Sequence, residues 1–101
     1  MKVYIAGPIG IRRDYRRRFN DAERYLWSIC QPVNPTRHRC KSRTEYIREG
    51  LRDLLECDGI VLLSGWRRSP GATLERAVAK ELGLYVGEIR RGRLTNGWRR
   101  D

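Results

Sequence analysis

The sequence predicts an α/β fold: a doubly wound parallel sheet of about four strands with flanking helices, in a single domain. Three observations predict it. The hydrophobic period switches repeatedly between two residues and 3.6, no internal repeat or low-complexity linker interrupts the alternation, and a continuous apolar run, "GIVLL" at 59–63, stands in its middle. At 101 residues the chain can bury one modest core and not two.

The elements follow in the order β-α-β-α-β-α-β. "KVYIA" alternates as a first strand. Asp14 suits the cap of a helix that carries Tyr15, Phe19, Ala22 and Leu26 on one face and ends near Ile29. "QPVN" is a short second strand. The basic loop "PTRHRCKSR" then leads to a capping box of Ser42 with Glu45 and a helix whose Ile47, Leu51, Leu54 and Leu55 face inward. "GIVLL" is expected mid-sheet, covered on both faces. Ser69 as N-cap, Pro70 at the first helical position and Gly83 after the end predict a helix over 70–82, with Leu74, Ala77, Val78 and Leu82 on one face and Glu75 at its border. "LYVGEI" makes strand four, and right-handed crossovers give a sheet of Rossmann or flavodoxin type. Residues 1–89 read as the domain and 90–101 as a basic C-terminal tail.

Composition bounds the partners. Lys and Arg number 22 against 12 Asp and Glu, for a net charge of +10, and Arg dominates, which favours planar contact with phosphate or carboxylate. The arginines are scattered along the chain rather than confined to one stripe, so charge alone leaves a nucleic acid and a small nucleotide both open. Cys30, Cys40 and Cys57 form no C-x-x-C pair, and the single His38 leaves no zinc ligand set, so no metal is expected and a reducing cytoplasm fits best. The N-terminal apolar run is too short for a membrane span, and no membrane partner is expected.

Ligands of such sheets bind beyond the carboxyl ends of the strands, here between strands one and three. Two loops meet there, 7–14 ("GPIGIRRD") and 64–71 ("SGWRRSPG"); both offer glycine backbone, arginines and a following helix N-terminus, as a phosphate site requires. The same glycines also suit plain turns, and no G-K-[ST] follows as in a P-loop. Glu75 has no basic residue three or four positions away, while Arg67 and Arg68 and the nearby helix N-terminus are expected to favour its charged form. Trp66 reads as a base-stacking residue or as cover for the sheet end, and Trp98 as part of a disordered tail or a reach to a neighbouring subunit.

"VYIAGPIG", "YIREGLRDLLECDGIVLL" and "GWRRSPGATLERAVAKELG", in that order and spacing, resemble the nucleoside 2-deoxyribosyltransferase family, especially its small phage and bacterial members, and are similar to the deoxynucleoside monophosphate N-glycosidases. The resemblance spans about residues 2–88 and is most specific in the glycine-turn-glutamate sequence ending at Glu75. It implies Glu75 as a nucleophile attacking C1′ of a 2-deoxyribosyl group, Tyr4 near the reacting centre, and phosphate or 5′-hydroxyl contacts from Gly7, Pro8 and Ile9 together with Ser69, Gly71 and Thr73. It further implies a nucleoside or nucleotide ligand, no cofactor, a homo-oligomer, and the host cytoplasm if a phage encodes the chain.

The chain departs from that family at Gly50, where an aspartate is usual. Gly50 reads either as a helix-interior glycine tolerated because something packs closely on it, or as the mark of a pocket enlarged and stripped of its acid. Three functions follow, in this order: an enzyme cleaving or transferring an N-glycosidic bond; a catalytically silent nucleotide binder or nucleotide-signal sponge; and a basic nucleic-acid-binding module.

Overall fold

The computed structural model describes residues 1–10 and 13–100. Five strands form one sheet in the order β2-β1-β3-β4-β5: β1 (Lys2–Ala6), β2 (Gln31–Val33), β3 (Gly59–Leu63), β4 (Tyr85–Arg90) and β5 (Arg93–Arg99). The first four run parallel and β5 returns antiparallel to β4. The helices are α1 (Tyr15–Leu26), α2 (Arg43–Leu55) and α3 (Pro70–Glu81). Because β1 leads outward to β2 while β3 and β4 lie on its other side, right-handed crossovers send α1 to one face and α2 with α3 to the other.

Strand alternation divides the core accordingly. Tyr4, Ala6, Ile60, Leu62 and Val86 pack with Leu54 of α2 and with Ala72 and Ala79 of α3. Val3, Ile5, Val61, Leu63 and Ile89 pack with Phe19, Ala22 and Leu26 of α1. All five residues of β3 are buried, as a central parallel strand requires.

Two of the three expected caps form. Ser42 Oγ accepts from the Glu45 N–H at 3.2 Å, while the Glu45 carboxylate reaches one residue further back than a reciprocal box, to the Lys41 N–H at 2.9 Å. Ser69 Oγ accepts from the Ala72 N–H at 3.2 Å. Asp14 precedes α1 without a side-chain cap bond, and α1 ends at Leu26 rather than near Ile29.

Four expectations need correction. The sheet has five strands, not about four, because 93–99 form β5 instead of a free tail. Trp98 packs on the α1-side core over Gly87, where a Cβ would come within 2.8 Å of the indole. The inward face of α3 is Ala72, Glu75 and Ala79, whereas Leu74 and Leu82 are 43% and 47% exposed and Ala77 is also exposed. Small residues there let the helix approach the sheet closely, so the larger leucines stay outside. Leu55 is likewise turned out, at 61% exposure, while Leu54 fills the inward position.

The connection from β2 to α2 is pinned by a buried carboxylate. Glu23 of α1 accepts from Arg37 Nε at 3.0 Å and Nη2 at 2.9 Å, from Asn34 Nδ2 at 3.0 Å and from Trp27 Nε1 at 3.2 Å. The Arg37 hydrogen bonds lead in holding its carboxyl below the usual range, against the opposing effect of burial. His38 Nε2 lies 2.6 Å from Asp53 Oδ2, tying the same connection to α2. No helix among the described residues is long and apolar enough to cross a membrane.

Candidate functional site

A cleft of about 520 Å3 opens beyond the carboxyl ends of β1 and β3, on the α2 and α3 side. Its volume lies within the roughly 300–1,000 Å3 usual for small-molecule sites. Three segments wall it: Gly7, Ile9 and Gly10 after β1; Lys41, Ser42 and Arg43 at the start of α2; and Ser69, Pro70 and Gly71 at the start of α3. Tyr15, Tyr46 and Ile47 add an aromatic and apolar wall. Tyr4 and Glu75 also line the cleft, and both are almost fully buried.

These two side chains form one unit. Tyr4 projects from the first parallel strand and Glu75 from the inward face of α3, and the tyrosine hydroxyl donates to Glu75 Oε2 at 2.5 Å. Burial raises the Glu75 carboxyl to about 7; the Tyr4 hydrogen bond opposes the rise and the negative charge of Asp53 adds to it. The Tyr4 phenol is itself pushed well above its ordinary value, first by burial and then by the Glu75 charge. Near neutral pH the carboxyl therefore passes between donor and nucleophile, while the phenol remains a donor. Glu75 is the only carboxyl side chain among the described residues that line the cleft.

Gly50 is buried in α2 directly behind this pair. A Cβ there would stand 2.6 Å from Glu75 Oε2 and 2.6 Å from the Tyr4 oxygen, closer than real contacts allow. Close packing thus accounts for the glycine. Gly50 does not open onto the cleft, so it does not enlarge the pocket, and a longer side chain at this position would displace the pair.

Of the residues singled out from the sequence, Tyr4, Gly7, Ile9, Ser69, Gly71 and Glu75 are brought together in the cleft. Thr73 lies one turn into α3 with its hydroxyl donating to the Ser69 carbonyl at 2.7 Å, which secures the helix start and leaves the residue outside the lining. Pro8 and Trp66 line a neighbouring cavity instead. Arg67 and Arg68 also face that cavity, and the expected stabilisation of a charged Glu75 by them is not found, since burial dominates at the carboxyl. Gly65, at φ +89°, opens the 3-10 turn at Trp66–Arg68, and the arginines of that turn line the neighbouring cavity. Part of the loop at 7–14, residues 11 and 12, lies outside the described residues.

Sequence reasoning missed the third wall. Cys40, Lys41, Ser42 and Arg43 close the cleft from the α2 side, and Tyr15 and Tyr46 flank it. The signal was available: the loop after a second parallel strand also emerges at the carboxyl end of the sheet, so its basic run falls beside the other two loops. Asp53 was missed as well; the packing of α2 beside α3 brings its charge to bear on Glu75.

Comparison with curated proteins gives no match. The model of one family, described as a domain of unknown function (DUF4406), matches residues 1–88, from the first strand through most of β4, and the chain belongs to that family.

Proposed function

We propose that the protein binds a (deoxy)nucleoside or its 5′-monophosphate in the Glu75 cleft and cleaves or transfers its N-glycosidic bond. The observation that carries this reading is the Tyr4–Glu75 hydrogen bond at the inner end of a cleft whose mouth is basic. A lone buried carboxylate, oriented by a phenol and able to ionise near neutral pH, suits nucleophilic attack on an anomeric carbon. Lys41 and Arg43, with the backbone N–H groups of the glycine loops, suit the phosphate.

In this reading a Glu75 oxygen bonds to C1′ as the C1′–N bond breaks, and the electron pair leaves with the base. The base takes a proton from solvent or from a group on the ligand, because no second carboxylic acid is among the described residues that line the cleft. Water, or another base, then attacks C1′ and frees Glu75. Glu75 is the catalytic residue and Tyr4 a positioning residue that favours the ionised carboxylate.

Free base released from each 2′-deoxynucleoside and its 5′-monophosphate, followed by chromatography, tests the proposal. Base release is expected from the wild type and not from Glu75→Gln, which preserves side-chain shape and a partner for Tyr4. Equal release by Glu75→Gln would sink the assignment. The missing second acid favours one other reading, a nucleotide binder without turnover; saturable binding with no release by the wild type would establish it.

A further inference from the structure

Beside the cleft, at the same end of the sheet, lies a second cavity of about 460 Å3. Its wall includes three arginines, Arg18 from α1 and Arg67 and Arg68 from the turn after β3, and no carboxylate is among the described residues that line it. Each arginine is held differently. Arg18 Nη2 donates to the Ser64 carbonyl at 2.8 Å, which anchors one edge of its guanidinium. Arg67 lies over the Trp66 ring, 4.7 Å from its centroid, a cation–π contact that holds its guanidinium beside the cavity. Arg68 is exposed and makes no ion pair among the described residues.

Three like charges around one concavity repel one another, and each presents N–H groups in a fork that matches phosphate oxygens. The cavity is also continuous in sequence with the cleft. Pro8 lines the cavity while Gly7 and Ile9 line the cleft, and Arg68 lines the cavity while Ser69 lines the cleft. A single ridge, Pro8 with the 68–69 peptide, therefore separates the two. Trp66 has one face under Arg67 and also packs on the core, so the cavity offers no free aromatic face for a second base.

We propose that this cavity is a phosphoryl-binding subsite, and that the ligand of the Glu75 cleft is a nucleotide carrying a second phosphoryl group that reaches across the Pro8 ridge. The assignment of a nucleotide to the cleft rests on the function proposed above. The second phosphoryl group belongs either to a 5′-polyphosphate or to a phosphodiester link to a neighbouring nucleotide.

Equilibrium binding by calorimetry at fixed ionic strength tests this with 2′-deoxynucleoside 5′-monophosphates, the matching triphosphates, 5′-phosphorylated dinucleotides and inorganic pyrophosphate. Wild-type protein is expected to bind the triphosphate, the dinucleotide or both roughly tenfold more tightly than the monophosphate. Which of the two gains identifies the source of the phosphoryl group. Arg67→Ala with Arg68→Ala should abolish that gain, and pyrophosphate binding with it, while leaving monophosphate affinity unchanged. Arg48→Ala with Arg93→Ala removes the same charge from exposed positions outside both concavities, and the gain should survive it.

Equal affinity for mono- and polyphosphorylated ligands overturns the subsite, as does an equal loss in the Arg48/Arg93 variant, which would reduce the effect to net charge. If no nucleotide binds but pyrophosphate does, and the Arg67/Arg68 variant loses it, the nucleotide reading of the cleft fails while the phosphoryl site stands. Absence of pyrophosphate binding together with absence of any polyphosphate gain overturns the subsite itself. Arg67 and Arg68 are exposed and outside the core, so these variants should fold, and unchanged circular dichroism checks it.

Discussion

The Tyr4 hydroxyl and the Glu75 carboxylate, 71 residues apart in the chain, meet at 2.5 Å across the space that a side chain at residue 50 would fill. The pair and the glycine are one construction, in which α2 comes close enough to support the contact only because it presents hydrogen there.

Helix propensity and packing therefore make opposite predictions for Gly50→Ala. An exposed helix glycine would gain about 1 kcal/mol on replacement by alanine. Here the added methyl group overlaps two nearly buried polar atoms, and overpacking of that kind typically destabilises by about 1–3 kcal/mol. Urea unfolding of the variant is expected to show net loss of stability, and a gain would mean that the pair moves aside freely.

Stability should depend on pH through Glu75. Its folded value of about 7 lies above the ordinary 4.5, so the folded state holds the proton more tightly than the unfolded chain. That contribution is fully present below pH 4.5 and is lost as pH rises through about 7, by on the order of 3 kcal/mol in all. Glu75→Gln should remove this decline, making the variant the more stable protein at pH 8. Parallel pH–stability curves for the two proteins would contradict the assignment.

If Glu75 is the nucleophile, kcat/KM for base release should rise with pH and level off above about 7, where the free carboxyl is ionised. Tyr4→Phe deletes the hydrogen bond that favours ionisation. The rise should then move to higher pH, with activity at pH 7 falling roughly tenfold, the scale of one hydrogen bond to a charged group. An unmoved profile would show that another group titrates in the reaction.

Trp98→Ala should cost about 2–3 kcal/mol, less than a fully buried tryptophan because the ring is half-buried. Hydrogen exchange offers a sharper readout: the β4 amides should lose protection while those of β3 keep theirs. Uniform loss across the sheet would mean that β5 folds inseparably with the centre.

Much of this was legible from the chain. "GIVLL" reads as a central strand, and Ser42, Ser69 and Pro70 mark two helix starts through chemistry that acts over three residues. The inward face of α3 was not legible, because counting apolar side chains favours Leu74 and Leu82, whereas close approach to the sheet selects Ala72 and Ala79 and takes Glu75 inward with them. β5 was hidden by Asn96 and Gly97, which break the alternation of "RLTNGWR". Arg67 and Arg68 are near Glu75 in sequence but line the neighbouring cavity, and the two readings of Gly50 separate only once the space behind it is known.

β5 also decides what the sheet can do at its borders. Its positive-φ Asn96 and Gly97 make a bulge opposite Val86 to Glu88, and Arg93 and Arg99 add charge along the outer strand. At the other border β2 is three residues long and contains Pro32, which has no N–H to offer. Neither margin gives an incoming strand a long, flat row of backbone donors and acceptors, so growth of the sheet by strand addition, the usual first step toward ordered aggregation, is blocked on both sides.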